Sequence, residues 1–330
     1  MSGPDCFVVV RAAGERTEAA CARLAGSQVG EANVRTIREV PFSEAVRRGF
    51  EIGVEAGRAW TLCLDADVLL RPGAIAALCA AGDAEWAASP DLFEIEGRVA
   101  DKLLGQLRPA GAHLYRTSLL EEALRTADFN AKKRRPESHV KRCMRKAGYR
   151  TAEIADVLGL HDHEQSYRDL FRKVFTHARK HERFMTYAQR YWRRAGASDD
   201  DLRFAYVVLA MAHAINEHAN LDSVPAGERV AIDVRAFPGD VEALLKPLGL
   251  EEKAPLDPGE YMGAAVEDAL DAFREAPEAV RERPVAAALN RGRLGQAKGW
   301  LDGYGPLGAA REFGARRLSA VASALAVKER

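Results

Sequence analysis

The chain has 330 residues, 47% of them hydrophobic, enough to bury one large core or a catalytic domain with a smaller appended one. Its 48 basic residues match 48 acidic ones, so no whole-molecule field points to a nucleic-acid partner. Cys6, Cys21, Cys63, Cys79 and Cys143 show neither CxxC nor Cys/His zinc spacing and read as reduced core thiols, and no apolar stretch approaches the roughly 20 residues of a spanning helix.

The first ~160 residues alternate short apolar runs with amphipathic ones, the pattern of an α/β layer structure. Cys6-Phe-Val-Val-Val-Arg11 is a β-branched run too brief for a buried helix. Glu15 to Leu24 reads as a helix stopped by Gly26, and Val34 to Val40 as a second strand. Ser43 is the expected N-cap of a helix through Glu55, closed by Gly57. Trp60 to Leu64 is the third strand and runs into Asp65-Ala-Asp67; Pro72 then opens a helix to about Ala81. Ala110 to Arg116 reads as a strand, and Ser118 to Thr126 and Pro136 to Ala147 as helices. Tyr149 to Leu160 leads into Gly159-Leu-His161-Asp-His163.

From about Glu164 to His218 the pattern is helical, broken near Gly196 and recapped by Ser198-Asp-Asp. A strand is expected over Val230 to Val234, and alanine-rich helix from Pro258 on. No repeat or low-complexity tract is visible. Between Arg168 and Arg194, basic residues including Arg172 and Lys173 interleave with aromatics such as Phe171, Phe175 and Trp192. That is the mark of a packing face with basic residues at its rim. An interfacial membrane helix is the less favoured reading, because Asp169 and Glu182 interrupt it. Lys132-Lys-Arg-Arg135 reads as a solvated loop, or as a basic approach to an acidic ligand. His213 lies on an apolar helix face and reads as a core histidine.

The most informative feature is Leu62-Cys-Leu-Asp65-Ala-Asp67. Two carboxylates one residue apart at the C-terminal end of a buried strand lie at the edge where α/β sheets bind ligands. Alternation turns both the same way if the strand continues through them. Magnesium takes one or two carboxylates together with phosphate oxygens and water, and such a site neutralises a diphosphate leaving group. A turn or capping pair is the bland alternative.

The stretch from Ser43 through Gly57 to Asp67 and Pro72-Gly73 resembles family 2 and related GT-A glycosyltransferases. There a glycine-ended helix feeds a strand, a DxD and a proline-glycine helix start. Val8-Val-Val-Arg11-Ala-Ala-Gly-Glu15 lines up with the family's first strand and Pro-x-x-Asn-Glu loop, with Arg11 in place of the proline. The resemblance spans about residues 6–165. It implies a GT-A, Rossmann-like mixed α/β sheet flanked by helices over residues 1–165. Residues 166–330 would form a mainly helical region shaping the acceptor side or an oligomer contact.

By the same resemblance, Asp67 and His161 ligate Mn2+ or Mg2+, with His163 the second choice, and Asp65 contacts the metal, its water or the ribose. Imidazole suits manganese as well as softer metals; the two histidines also read as a solvated turn. Arg11, Glu15 and Glu39 would line the nucleotide pocket. Gly111, in Pro109-Ala-Gly111-Ala, would let backbone approach the donor sugar or acceptor, or would simply turn the chain. Glu137 matches the family's base segment, although Ser138 replaces its aspartate. A glutamate there also suits the helix dipole alone.

The implied activity is transfer of a sugar from a nucleotide-diphosphate donor, UDP or GDP in preference to others. The acceptor would be a carbohydrate, lipid-linked or small-molecule hydroxyl. A haloacid-dehalogenase-type phosphatase with Asp65 as nucleophile is the rival enzyme, although its motif usually lies on the first strand and two strands precede it here. A GT-A-like scaffold that binds nucleotide-sugar without turnover is the non-enzyme rival. Met1-Ser-Gly-Pro-Asp lacks the basic stretch and apolar run of a signal peptide, so a cytoplasmic location is expected.

Overall fold

The computed structural model describes residues 3–129, 135–180, 182–218, 241–259 and 264–275, all within one compact unit, Met1–Glu282. The strand expected over Val230 to Val234, the helices expected beyond residue 275, most of the Lys132 to Arg135 run and the His213 side chain lie outside the described residues.

The fold is a mixed α/β, Rossmann-like sheet flanked by helices, followed by a helical C-terminal region. Its strands are β1 (Cys6–Arg11), β2 (Val34–Ile37), β3 (Trp60–Asp65), β4 (Val68–Leu70), β5 (Leu92–Asp101), β6 (Gln106–Arg116) and β7 (Arg150–His161). They form one seven-stranded sheet in the order β2-β1-β3-β6-β5-β7-β4. β2, β1 and β3 run parallel, β6 is antiparallel to β3 and β5, β7 parallels β5, and β4 is antiparallel to β7.

The helices are α1 (Glu18–Val29), α2 (Phe42–Ala56), α3 (Ala74–Ala88), α4 (Leu120–Thr126), α5 (Pro136–Lys146), α6 (Tyr167–Lys180), α7 (Glu182–Ala195), α8 (Asp200–His218), α9 (Val241–Leu245) and α10 (Ala264–Glu275). Every residue of β1 is buried, as expected of a parallel strand covered on both faces. The strand period of two divides its side chains between the two layers. Val8 and Val10 pack with Leu62, Leu64, Cys21, Ile75 and Leu78 under α1 and α3. Val9 turns to Ile52 on the α2 side, where Phe50, Cys63, Phe93, Tyr115 and Val140 join α2, α4 and α5.

A second apolar cluster unites α6, α7 and α8 around Phe171, Val174, Trp192, Phe204 and Leu209. The aromatics Phe171, Phe175 and Trp192 are therefore buried inside, which is the packing-face reading of that segment. Among the described residues no helix is long and apolar enough to cross a membrane.

Several boundaries differ from expectation. α1 begins at Glu18 and runs through Gly26 to Val29, because Gly26 is buried against the following Glu31 and so packs within the helix instead of ending it. β2 stops at Ile37. Pro41 occupies the N-cap of α2, and Ser43 is buried in the first turn. Gly57 ends α2 in the left-handed conformation as expected. Pro72 precedes the cap Gly73, and α3 continues to Ala88. β6 starts at Gln106, and β5 was not foreseen. It carries Glu94, Glu96 and Arg98, and Glu94 is fully buried and paired within the fold.

One feature of the topology builds the site. Only Ala66 and Asp67 separate β3 from β4, although β4 lies at the far end of the strand order. Three residue steps reach at most about 11 Å. The sheet therefore curls to bring the end of β7, where His161 faces Val68, close to the end of β3.

Candidate functional site

β1 and β3 end side by side with Arg11 opposite Asp65. Arg11, buried, holds two carboxylates: its Nη2 lies 2.7 Å from Asp65 Oδ1, and its Nη1 donates to Glu137 Oε1 at 2.6 Å. Glu137 comes from the first turn of α5, behind Pro136. His113 Nε2 lies 3.3 Å from the same Glu137 oxygen, while its Nδ1 faces Glu94 at 2.8 Å and Glu96 at 2.9 Å. Lys141 closes this chain of alternating charge at 3.0 Å from Glu94 and 2.5 Å from Glu96.

Burial works against each of these charges, and the partners decide the outcome. Burial disfavours the His113 imidazolium, yet Glu137, Glu96 and Glu94 together hold it up to about 10. Burial likewise opposes the Glu137 carboxylate, and Arg11 and His113 keep it below its usual range. For Asp65 burial wins: with Asp67 beside it, its carboxyl is pushed above the usual range despite Arg11.

A second arm starts at Asp67. The strand ends at Asp65 and the chain turns, with Ala66 N donating to Arg11 O at 3.0 Å, so β3 does not continue through Asp67. The condition for strand alternation through both aspartates is therefore not met, because β4 leaves β3 to pair with β7. Asp67 Oδ1 lies 3.5 Å from His161 Nε2 and makes no hydrogen bond although it is buried. Asp67 Oδ2 and Asp162 Oδ1 are bridged by the Lys173 ammonium from α6.

His161 Nδ1 lies 2.9 Å from Asp101 Oδ2, which also accepts from Arg108 Nε at 2.6 Å. An outer carboxylate of this kind fixes an imidazole for metal binding through its other nitrogen. Asp67, His161 and Asp162 each offer a ligand atom, all within 4.8 Å of one another. Two carboxylates and an imidazole suit manganese, and magnesium less closely. Burial opposes ionisation of Asp67, but Lys173 and His161 bring it down to about 2. His161 is held up to about 9, because Asp162, Asp67 and Asp101 outweigh its burial.

Gly111 separates the two arms. Its φ is +65°, and a Cβ there would lie 2.5 Å from Val68 Cγ2 and 3.4 Å from both Asp65 Cβ and His161 Cδ2. No other residue type fits. Glu15, on the loop after β1, accepts from Ala13 N at 2.6 Å; burial and Asp67 raise it to about 7. That loop is latched from several sides. Thr17 Oγ1 donates to Ala66 O at 2.8 Å, Arg16 N to Asp169 Oδ2 at 3.1 Å, and Arg172 Nη1 to Ala13 O at 2.9 Å.

Of the residues singled out in the sequence, Arg11, Asp65 and Glu137 meet in one arm, and Asp67 and His161 in the other. Gly111 lies between the arms and Glu15 beside them. His163 stands apart, with Nε2 3.9 Å from Glu164 Oε1, and burial together with Lys102 pushes it down to about 4. The carboxylate between the two histidines, Asp162, stands in the position expected of His163. Glu39 is exposed beyond the end of β2. Asp101, His113, Asp162 and Lys173 were not singled out as site residues. Only the Asp between two histidines was a local clue to any of the missing parts.

No family model matches the chain, and no curated protein sequence matches it. Among solved structures, it is similar over 75% of its length, and 80% of the other chain, to mannosyltransferase PcManGT from Pyrobaculum calidifontis in complex with GDP-Man and Mn2+, at 15% identity and a TM-score of 0.34. It is also similar to CMP:2-keto-3-deoxy-manno-octonic acid synthetase complexed with CTP, over 47% of its length and 92% of that chain, at 13% identity and a TM-score of 0.31. Likeness at that level carries no functional argument.

Proposed function

We propose that the chain is a metal-dependent glycosyltransferase that moves a sugar from a nucleotide-diphosphate donor to a hydroxyl. The observation that carries this reading is the buried, unbonded Asp67 Oδ1, gathered with His161 and Asp162 beside the C-terminal ends of the parallel strands β1 and β3. Ligands of open α/β sheets bind at that edge. A manganese or magnesium ion held by Asp67, His161 and Asp162 would neutralise the diphosphate and stabilise it as a leaving group.

The other residues bind and orient. Asp65, its side chain 28% exposed and steadied by Arg11, would accept hydrogen bonds from a ribose or sugar hydroxyl. Gly111 lets the ligand approach the backbone between the arms. Glu137 is the base of this reading and takes the acceptor proton if the reaction inverts configuration. Its ion pairs make it a weak base, and Glu15, raised to about 7, is the second choice. On this reading α6, which grips the β1–α1 loop through Asp169 and Arg172, begins the acceptor side.

Release of nucleoside diphosphate from UDP- and GDP-sugars with Mn2+ tests the reading. Asp67→Asn should lower it by more than the roughly 100-fold that loss of an outer partner costs. Full turnover in that variant would remove the mechanism.

A further inference from the structure

Lys173 is a fixed positive charge in the acidic arm, and its chemistry conflicts with a metal ion there. Its ammonium bridges Asp67 Oδ2 and Asp162 Oδ1, two of the three groups that could ligate the metal. The side chain is 19% exposed, so water screens this contact poorly. An ammonium and a divalent cation sharing these carboxylates would repel each other at close range in a poorly solvated site.

The helix that carries Lys173 is anchored independently. Leu170, Phe171 and Val174 are buried in the helical core, and Arg172 holds Ala13 O at 2.9 Å. The backbone is therefore fixed, whereas the four-carbon lysine stem is flexible. The remaining oxygen, Asp67 Oδ1, has no hydrogen bond and faces His161 Nε2. On one side the two carboxylates share the Lys173 ammonium, and on the other both face His161, Asp67 Oδ1 at 3.5 Å from Nε2 and Asp162 Oδ2 at 3.2 Å from Nδ1.

We propose that Lys173 is a placeholder cation, holding Asp67 and Asp162 together in the free protein and displaced by the divalent ion when it binds. The inference rests on the metal reading of this site. It gives Lys173 a positioning role, keeping two adjacent buried carboxylates folded at the cost of weaker metal affinity. A surface lysine on a packing helix would have no such effect.

Manganese binding to the full chain, followed by electron paramagnetic resonance, tests this without reference to activity. Lys173→Met should bind Mn2+ at least tenfold more tightly than the wild type, and adding Asp67→Asn should abolish that gain. Equal or weaker binding by Lys173→Met would overturn the inference while leaving the metal site standing. Absence of Mn2+ binding by both proteins would overturn the inference and the metal reading together.

If Lys173→Met fails to fold, the wild type supplies the second measurement. Mn2+ should increase acylation of Lys173 by an amine reagent several-fold, read by peptide mass spectrometry against Lys141 as internal reference. Unchanged labelling of Lys173 in protein shown to bind Mn2+ would contradict displacement.

Discussion

His113 keeps a positive charge where burial alone would remove it, because Glu94, Glu96 and Glu137 surround the ring. Its pKa is raised from an ordinary 6.5 to about 10. The charged ring therefore stabilises the fold fully below pH 6.5, and that contribution fades as pH rises towards 10. One proton changes stability by at most about 1.4 kcal/mol per pH unit. His161, raised to about 9, titrates in the same window, so the difference between wild type and variant is the useful quantity. In chemical denaturation, the penalty of His113→Asn should be a few kcal/mol near pH 6.5 and shrink steadily towards pH 10. A penalty independent of pH would mean that the ring is neutral in the folded protein.

The short strand β4 and the end of β7 set the position of His161. Leu70 lies opposite Gly159, and Val68 opposite His161. A Cβ at Gly159 would lie 2.1 Å from Leu69 O and 2.9 Å from Leu70 Cα, both backbone atoms that cannot rotate away. Gly159→Ala should therefore cost about 3 kcal/mol or more, at or beyond the upper end of overpacking effects. It should also weaken Mn2+ binding in whatever protein remains folded, measured by calorimetry; an unchanged melting temperature would show that the pairing is not rigid. β1, α2 and β3 were legible in sequence because local periodicity, Gly57 and an apolar run specify them. β5 was not, because its Glu94 and Glu96 turn inward and are answered by His113 and Lys141 from other elements. Asp67 was legible from its neighbours on β3. Its partner Lys173, 106 residues away, was not, since only the tertiary fold brings α6 over the turn.

At the scale of the whole molecule, the parallel strands, the curl that returns β4 to β7, and α6 converge on one edge of the sheet. Arg11 with Asp65 and Glu137 forms one wall of this edge, and Asp67 with His161 and Asp162 forms the other. On the function proposed above, a nucleotide-diphosphate sugar would span both walls, its diphosphate at the metal and its hydroxyls at Asp65. Joint binding of metal and nucleotide is the central property of this site, and thermal stability with UDP-, GDP- and dTDP-sugars, each with and without Mn2+, measures it. A ligand near 100 times its dissociation constant should add about 2.7 kcal/mol. The expected shift requires both Mn2+ and one nucleotide and vanishes in Asp67→Ala. No shift with any pair, or one that persists in Asp67→Ala, would contradict it.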